Sequence, residues 1–348
     1  MKVLVTGHRG YIGSVMTPML RDRGHEVIGL DSDLYARSTF TGRMPDTESI
    51  VKDVRDLNAA DLPKVDAIIH LAGLSNDPLG NLDPDVTDEI NHRATVKLAE
   101  LAKSAGIQRF LFSSSCSNYG AAGDDLIDET GRFNPVTPYA ISKVDSEKDL
   151  AKLADDGFSP TFMRSATAYG VSPRLRFDLV LNNLTAWAFA TGRVLLKSDG
   201  TPWRPIVHIR DISNAFIAAL EAPRETVHLE AFNVGDTGEN YRMSELAEIV
   251  AETVPGAVVE IADGAGPDKR CYRVDCSKIR RALPAFQPQW TARKGAQELY
   301  EAYKAVGLTV EDFEGPRFQR VAHLRMLMEE GRLSERLRFQ GSNEQAAE

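Results

Sequence analysis

The stretch Val3-Leu4-Val5-Thr6-Gly7-His8-Arg9-Gly10-Tyr11-Ile12-Gly13 opens the chain and predicts a buried strand, a glycine-rich turn and a helix start. Glycines permit the tight turn and let backbone amides approach a phosphate closely. The helix N-terminus adds unpaired N–H groups and a dipole that favours an anion. The stretch therefore predicts a site for a dinucleotide pyrophosphate. We expect this site to involve Gly7, Arg9, Gly10, Tyr11, Ile12 and Gly13.

A carboxylate at the end of the second predicted strand indicates which dinucleotide binds. The strand is Val27-Ile28-Gly29-Leu30-Asp31, and Asp31 lies 18 residues after Gly13. An acid at this point can bind both hydroxyls of the adenosine ribose of NAD, and it repels the 2′-phosphate of NADP. The sequence therefore favours NAD as the cofactor. Further cofactor contacts are expected where the third and fourth strands end, at Asp53, Val54, Leu71, Ala72 and Gly73.

Composition and charge limit the classes of partner. The 348 residues carry a net charge of −9 and no basic block, which argues against nucleic acid or an anionic membrane as a partner. No run approaches the roughly 18 apolar residues of a membrane span, and no signal-peptide pattern is found. The 3 cysteines and 7 histidines lack the spacing of metal ligands, so no metal site is expected. Unpaired cysteines favour a reducing, cytoplasmic location.

The order of apolar runs predicts the fold class. Short apolar runs alternate with helical patterns over the first half of the chain, as in a doubly wound parallel α/β sheet of the Rossmann type. After Arg164 this alternation ends, and the pattern becomes mostly helical with one strand near 258–261. We expect a Rossmann domain (1–165 plus 206–236), an interleaved, smaller, mostly helical substrate-binding lobe (166–205 plus 237–340) and a flexible tail (341–348). The predicted strands are 2–6, 26–30, 49–52, 67–71, 109–113 and 161–164, and the predicted helices include 11–23, 86–105, 139–155 and 207–220.

A tyrosine and a lysine one helical turn apart are candidate catalytic groups. Tyr139 and Lys143 have the spacing i, i+4, so their side chains share one face of a helix. A neighbouring positive charge favours phenolate, so Lys143 is expected to lower the pKa of Tyr139. Tyr139 is then a candidate base that removes a hydroxyl proton while hydride leaves the same carbon. Tyr300 and Lys304 have the same spacing, but they lie in a helical region remote from the glycine turn.

Hydroxyl groups at the end of the fifth predicted strand complete the candidate site. Parallel α/β sheets bind their ligands at the carboxyl ends of strands. Ser115 is therefore expected to hydrogen-bond the reacting oxygen beside Tyr139, and Ser113 to face the cofactor. A serine-rich strand end with a purely structural role is the alternative. Downstream, Arg204 stands in a turn ahead of a strand, and its planar guanidinium suits a substrate phosphate.

Two further segments allow more than one interpretation. Asp268 and Arg270 lie between apolar segments and are candidates for a second phosphate or a ribose, or they are solvated loop charges. Near the C-terminus, apolar residues between 318 and 339 recur at helical spacing. Such a pattern is typical of a helix packed on the body of the protein, and a partner-binding helix is the alternative.

Together these motifs resemble the extended short-chain dehydrogenase/reductase family, in particular its nucleotide-sugar branch of UDP-galactose 4-epimerase and relatives. The resemblance covers about residues 1–283. It implies a bound NAD, Tyr139 as base, Lys143 on the nicotinamide ribose and Ser115 on a sugar oxygen. Members often dimerise through the helices predicted at 86–105 and 139–155, so the resemblance also implies a homodimer. From the motifs and the resemblance together, the expected substrate-binding residues are Ser115, Ser117, Tyr139, Thr167, Arg204, Asp268 and Arg270.

Departures from the family pattern bear on the substrate and the reaction. Relatives commonly have an asparagine at the position of Thr167. They also have an arginine just before the acidic residue that binds the nucleotide ribose, and Gly264-Ala265-Gly266 stands in its place here. Sugar 4,6-dehydratases carry Asp-Glu after the catalytic serine or threonine, because water elimination needs a further acid and base. Here Cys116-Ser117 occupies that place, which resembles the 4-epimerases.

The reaction expected from these motifs is an NAD-dependent epimerisation of a nucleotide-activated sugar through a transient 4-keto intermediate. A 4-ketoreductase or dehydrogenase of a deoxysugar nucleotide would use the same residues but exchange its cofactor. A non-catalytic dinucleotide-sensing protein is the third possibility. Such a protein would have no need of the complete set Ser115, Tyr139 and Lys143.

Overall fold

Parallel strands form the main sheet of the protein, and shorter strands form small sheets beside it. The computed structural model describes residues 1–40, 42–266 and 271–340. The strands of this part of the chain are β1 (Lys2–Thr6), β2 (Glu26–Asp31), β3 (Ser49–Val51), β4 (Ala67–His70), β5 (Arg109–Ser115), β6 (Ala121–Ile127), β7 (Ser159–Ser165), β8 (Thr167–Tyr169), β9 (Arg193–Ser198), β10 (Trp203–His208), β11 (Ala231–Val234), β12 (Asn240–Arg242), β13 (Val258–Gly266) and β14 (Cys271–Val274).

Helices connect these strands and cover the main sheet. A π-helical segment (Glu89–Arg93) and short 3-10 turns (Val54–Asp56, Ala59–Asp61 and Cys116–Tyr119) supplement the α-helices. The α-helices of the described residues are α1 (Gly13–Asp22), α2 (Asp77–Gly80), α3 (Pro84–Asp88), α4 (Ala94–Ser104), α5 (Pro138–Leu153), α6 (Val180–Thr191), α7 (Ile209–Glu221), α8 (Arg224–Val227), α9 (Met243–Thr253), α10 (Ser277–Ala282), α11 (Ala292–Val306), α12 (Val310–Glu314) and α13 (Arg320–Glu329).

The main sheet has seven strands in the order β11-β7-β5-β4-β1-β2-β3, and neighbouring strands are parallel. The chain runs outward from β1 to β3 and then crosses back to β4, so the strand order reverses between β1 and β4. Ligands of such sheets bind at the carboxyl ends beside this switch point. The predicted doubly wound Rossmann sheet is confirmed. For each of the six strands predicted for this sheet, the first and the last residue agree with the structure to within two residues.

Alternation along the strands explains why both faces of the sheet are buried. In β1, Val3 and Val5 join one hydrophobic cluster, whereas Leu4 joins the cluster on the opposite face. Successive strand residues point to opposite faces, so two apolar faces require two helical layers. Residues of α1 and α7 complete the first cluster, and residues of α4 and α5 complete the second. This arrangement fixes the carboxyl ends of β1, β4 and β5 at one edge.

The predicted helices differ from the structure by one interruption and in their bounds, and α1 begins at Gly13, two residues after its predicted start. The helix predicted over 86–105 is interrupted by the π-helical segment between α3 and α4. The helix predicted over 207–220 begins two residues late, at Ile209, because β10 pairs with β8 through His208. Helix α5 agrees with the prediction over 139–155 to within two residues at each end.

The segments outside the main sheet contain more strands than the mostly helical pattern predicts. Strands β12, β10 and β8 form one small sheet, β13 pairs with β9, and β14 pairs with β6. These pairings join segments distant in sequence, and the strands are short, so local periodicity does not reveal them. Helices α6, α9 and α11 pack over this region in a third hydrophobic cluster. The proposed boundaries of the two lobes remain a prediction.

The C-terminal segment packs on the body of the protein. Leu324, Leu327, Leu333 and Leu337 are buried in the second hydrophobic cluster. Helix α13 nevertheless ends at Glu329, and the helical spacing expected up to 339 fails there. A positive φ of 69° at Gly331 and a bridge between Leu333 and Phe339 turn the chain back on itself. The tail predicted at 341–348 lies outside the described residues.

Candidate active site

The turn after β1 has the geometry of a phosphate cradle. Gly7 has a φ of +72°, and a Cβ there would lie 2.8 Å from the Ala72 nitrogen. A Cβ at Gly13 would lie 2.3 Å from the Gly7 oxygen, so both positions require glycine. No hydrogen bond among the described residues uses the backbone amide of Tyr11 or Ile12. These free amides at the start of α1 fit an anionic ligand.

The carboxylate of Asp31 is fixed at the end of β2. It accepts hydrogen bonds from the backbone amides of Arg9, at 2.9 Å, and Asp33, at 2.8 Å. Burial raises the pKa of Asp31, and these two hydrogen bonds act against that rise. The Arg9 guanidinium pairs with Asp33 at 2.8 Å. Asp31 thus has fixed acceptor oxygens at the place where an adenosine ribose is expected.

The residues predicted from the glycine turn and from the ends of the first strands line one cleft, which we call the cofactor cleft. Residues of the C-terminal segment also line this cleft. The predicted residues that line it are Gly7, Arg9, Gly10, Tyr11, Ile12, Gly13, Asp31, Asp53, Val54, Leu71, Ala72 and Gly73.

A second cleft shares part of its wall with the first. Ile12, Leu71, Gly73 and Arg176 line both clefts, so the two adjoin at the switch point. We call the second the substrate cleft. The predicted residues that line it are Ser113, Ser115, Ser117, Tyr139, Lys143, Thr167 and Arg204.

Asp53 has partners within the protein that the sequence did not predict. Its carboxylate caps the 3-10 turn Val54–Asp56 and accepts a 3.0 Å hydrogen bond from Nε of Arg55. Burial opposes ionisation, but the hydrogen bonds and charge of Arg55 hold the pKa of Asp53 below its ordinary value. The side chain remains 20% exposed, so it retains acceptor capacity beside Val54 in the cofactor cleft.

Lys143 is enclosed on the inner face of α5. Its Nζ donates a 2.8 Å hydrogen bond to the carbonyl of Ser113 and lies 4.7 Å above the Phe112 ring. Burial lowers the pKa of Lys143 to about 8, although the charge of Glu147 one turn along α5 opposes the shift. The lysine is therefore anchored to the strand that carries the candidate catalytic serine.

The expected lowering of the Tyr139 pKa by Lys143 is wrong in this structure. Burial raises the pKa of Tyr139 above its ordinary value, whereas a hydrogen bond with Ser115 and the charge of Arg176 act to lower it. The Lys143 amine lies 5.7 Å from the Tyr139 ring centroid and binds the Ser113 carbonyl. Desolvation therefore outweighs the positive charges near the phenol.

Hydroxyl groups cluster around the end of β5. Ser115 accepts hydrogen bonds from the Ser117 amide at 3.1 Å and the Ser117 hydroxyl at 2.9 Å. Thr167, on β8, lies in the same cleft wall. Ser165 was not predicted: it pairs in register with Ser115, and its buried hydroxyl has no hydrogen-bond partner among the described residues. The parallel pairing of β5 with β7 was the signal that could have found it.

Arg174 and Arg176 lie on the segment between β8 and α6, and of the two only Arg176 lines the substrate cleft. It pairs with Asp178 at 2.6 Å and donates to the Ser75 hydroxyl at 2.9 Å. Burial works against ionisation of Asp178, but Arg176 and a bond from Asn76 lower its pKa to about 2. Arg174 instead pairs with Asp33 at 2.9 Å. Arg176 therefore brings a fixed positive charge to the boundary of the two clefts.

Arg204 lies inside β10 and not in a turn, because β10 begins at Trp203 and pairs there with β12. The residue is 7% exposed and lines the substrate cleft, and its Nη1 donates to the Trp203 carbonyl at 2.9 Å. The other two predicted substrate residues, Asp268 and Arg270, lie outside the described residues.

Two buried polar residues near the switch point have structural partners. His70 bridges Thr6 and Thr95, at 2.7 Å on each side, and burial lowers its pKa to about 3. Asn91, in the π-helical segment, accepts a 2.7 Å bond from the Leu74 amide and thereby holds the loop after β4. Neither residue presents a free group to the clefts.

The C-terminal segment forms part of the cofactor cleft, which the sequence did not predict. Arg320 and Leu337 line this cleft. Arg55 holds the segment by donating to the carbonyls of Arg336, at 2.8 Å, and Leu337, at 3.1 Å. These contacts join residues more than 280 positions apart, so no local pattern indicates them.

The described residues form neither a metal-binding group nor a membrane-spanning helix. Within 1–40, 42–266 and 271–340, no three His, Cys, Asp or Glu side chains come together as a metal-binding group. In the same part of the chain, every helix is too short or too polar to span a bilayer.

The fold and the two clefts define the class of protein. A glycine turn after β1, an acid at the end of β2 and a Ser–Tyr–Lys cluster at the switch point are the parts of a dinucleotide-dependent enzyme. The chain belongs to the NAD dependent epimerase/dehydratase family, whose model matches residues 3–235. The resemblance to extended short-chain dehydrogenases is thereby confirmed.

Similar proteins extend over most of the chain. The UDP-glucose 4-epimerase of Bacillus subtilis is 28% identical over 327 residues, with 86% of this chain and 94% of the relative covered. UDP-glucuronic acid decarboxylase 1 of Arabidopsis thaliana is 28% identical, with 90% and 72% covered. The structure of MoeE5 in complex with UDP-glucuronic acid and NAD matches with a TM-score of 0.76 and 26% identity, covering 88% of this chain and all of that one. The protein is therefore an NAD-dependent enzyme of the nucleotide-sugar epimerase, dehydratase and decarboxylase group.

Proposed function

We propose that the protein is an NAD-dependent 4-epimerase of a nucleotide-activated sugar. One observation carries this proposal: the residues after Ser115 bring no carboxylate into the substrate cleft. Cys116 is fully buried, and its thiol donates to the Arg164 carbonyl at 3.1 Å. The carboxylates that line the cleft among the described residues are Asp77 and Asp178, and Asp178 is held in its ion pair with Arg176. Dehydration needs a further acid and base, whereas epimerisation needs proton transfer at a single oxygen.

The chain's own residues act on the substrate 4-hydroxyl. Ser115 hydrogen-bonds this oxygen, and Tyr139 removes its proton. Bound NAD supplies a reversible acceptor for the hydride of C4. The 4-keto sugar then turns over in the cleft, and Tyr139 returns the proton to the oxygen once the opposite face is reduced. Lys143, anchored on Ser113, would orient the nicotinamide ribose through its ammonium group.

Substrate recognition is proposed to centre on Arg204. The residue is 7% exposed and lines the substrate cleft, where bidentate guanidinium donors suit the nucleotide pyrophosphate. We propose Ser117 and Thr167 as sugar contacts because both line the same wall. Asp268 and Arg270 remain candidates for the nucleotide ribose or a phosphate.

An epimerase keeps its NAD bound through each turnover, whereas a net 4-ketoreductase or dehydrogenase exchanges its cofactor. Cofactor retention therefore distinguishes the two functions. We expect the purified protein to retain NAD and to convert one member of a panel of UDP-, GDP-, CDP- and dTDP-sugars without added cofactor. Chromatography of an acid extract measures the NAD, and proton NMR identifies the product. Conversion only with added NAD or NADH would instead support net redox. A protein that binds NAD but converts no sugar of a broad panel would support the sensing alternative.

We further propose that the enzyme is a cytoplasmic homodimer. Ile141 on α5 and Val136 just before it are each 46% exposed, on the helix that the family resemblance places at a dimer contact. The three cysteines are free thiols, as suits a reducing compartment. Light scattering should give the mass of a dimer for the purified protein and of a monomer for Ile141→Asp. A monomeric wild-type protein contradicts the proposed dimer.

A further inference from the structure

A buried guanidinium in the wall of the cofactor cleft lacks a full set of partners. Arg320, the first residue of α13, is 5% exposed. Its Nη2 donates to the Arg174 carbonyl at 3.2 Å, but its Nη1 has no hydrogen-bond partner among the described residues. The guanidinium stacks on the buried Tyr35 side chain, 3.6 Å from the ring centroid. Both side chains line the cofactor cleft.

Arg320 forms no ion pair within the described residues, although the charge of nearby Asp178 acts to raise its pKa. The nearby acids serve other arginines: Asp178 pairs with Arg176 at 2.6 Å, and Asp33 pairs with Arg174 at 2.9 Å. Burial and these neighbouring cations lower the pKa of Arg320 to about 10. A buried cation without a counter-ion is costly, and an anionic ligand would remove that cost.

We propose that Arg320 binds the pyrophosphate of NAD. NAD carries its negative charge on the pyrophosphate alone, so this group is the only counter-ion that the cofactor can offer. The free amides of Tyr11 and Ile12 line the same cleft and favour an anion there. A 2′-phosphate is disfavoured because Asp31 occupies the ribose end of the cleft. The pyrophosphate is thus held by the glycine turn and by the distant helix α13.

Contacts beyond Arg320 fix the C-terminal segment over the cofactor cleft. Arg55 binds the carbonyls of Arg336 and Leu337, and Arg338 pairs with Asp56 at 2.6 Å. Leu337 itself lines the cleft. The same segment that supplies the guanidinium therefore also closes part of the cleft wall. This closure should slow the release of NAD.

The experiment compares ligands that carry or lack a pyrophosphate. Calorimetry on the NAD-free full chain measures the affinity for NAD, ADP-ribose and adenosine in wild type and in Arg320→Gln. We expect Arg320→Gln to weaken NAD and ADP-ribose by about 10- to 100-fold, as for a lost charged hydrogen bond, and to leave adenosine unchanged. Arg320→Lys keeps the charge and should recover part of the loss. Arg325→Gln, at an exposed position of the same helix, is the matched control and should change no affinity.

A separate readout guards against simple misfolding. The melting temperature of NAD-free Arg320→Gln should be retained, because the lost charge has no carboxylate partner, while the rise on adding NAD should shrink. Equal weakening of adenosine and ADP-ribose, or no weakening of either, would overturn the proposal. These measurements do not use a sugar substrate, so their failure would leave the proposed epimerase reaction untouched.

Discussion

At Tyr139 the environment, and not the residue type, decides the chemistry. The spacing to Lys143 is visible in the sequence, and the structure places both side chains at the substrate cleft. The direction of the Tyr139 pKa was not predictable, because burial comes from segments remote in sequence. Ser165 was likewise hidden from a local pattern, since it reaches the site through the pairing of β7 with β5.

Replacing Tyr139 by phenylalanine tests the proposed base. Tyr139→Phe should lower kcat by about 100- to 10,000-fold, the usual contribution of general acid–base catalysis. NAD content should stay at the wild-type level because the pyrophosphate and ribose contacts are intact. Turnover and the NAD of an acid extract are the measurements. A variant with unaltered turnover removes Tyr139 from the mechanism.

The pH profile tests the charge on Lys143. Its pKa is lowered to about 8, so the amine is cationic below that pH and becomes neutral as pH rises through it. We therefore expect kcat/KM to decline above about pH 8. Lys143→Arg remains charged over this range and should show no alkaline decline, although its rate will be lower. A wild-type profile that stays flat to pH 10 contradicts this role for Lys143.

Two glycines of the first turn differ in the space available to a methyl group. A Cβ at Gly13 would lie 2.3 Å from the Gly7 oxygen, whereas a Cβ at Gly10 would come no closer than 3.1 Å to that atom. Gly13→Ala should therefore abolish retention of NAD, and Gly10→Ala should have the milder effect on the turn. Chromatographic assay of bound NAD checks both. Equal NAD content in the two variants would show that the turn can move enough to accept a Cβ at position 13.

At the scale of elements, a buried ion pair ties α5 to β7. Glu147 on α5 pairs with Arg164 on β7 at 2.6 Å, and the two side chains are 5% and 7% exposed. Glu147 also receives a short hydrogen bond from Ser114 on β5. Because Tyr139 and Lys143 lie on the same helix, this pair helps to set their position relative to the strand ends.

Removing one partner of this pair should destabilise the fold strongly. Glu147→Ala leaves Arg164 buried and unpaired, which typically costs about 3–5 kcal/mol in the free energy of unfolding. Adding Arg164→Ala should cost less than the sum of the single changes. Urea denaturation measures both, with Lys148→Ala in an exposed pair as the control, expected to change stability by at most about 1 kcal/mol. Additive losses would show that the pair does not act as a unit.

The elements found by sequence share a local signal, and those missed lack one. Alternating apolar residues and glycine turns predict the strands of the main sheet. Strands β9 and β14 escape such reasoning, because each is stabilised by a partner far along the chain, β13 and β6. The π-helical segment is also invisible locally, although it carries Asn91 to the loop after β4.

At the scale of the molecule, the cofactor cleft is built from both ends of the chain. The glycine turn was predictable because strand, turn and helix follow one another directly. The wall formed by Arg320 and Leu337 was not, because it depends on tertiary contacts. Residues 318–339 show only a helical apolar pattern in sequence, and their packing in the second hydrophobic cluster brings them to the cleft.

Hydrogen exchange should detect this contribution of the C-terminal segment. Adding NAD should slow amide exchange in residues 320–337, because bound cofactor contacts the segment and stabilises its closed arrangement. Helix α9 lies outside the lining of the cofactor cleft and is the internal control. Protection confined to the glycine turn, with 320–337 unchanged, would contradict a role of this segment in holding NAD.

In the proposed reaction, a hydride leaves C4 of a nucleotide sugar and returns to the same carbon by way of NAD that stays bound. The most direct measurement uses sugars deuterated at C4, incubated with purified protein and no added cofactor, with NMR detection of the product. We expect a C4 epimer that retains its deuterium at C4. Deuterium at C6 of a dehydrated product, or its loss to free NADH with a stable ketone, would contradict it.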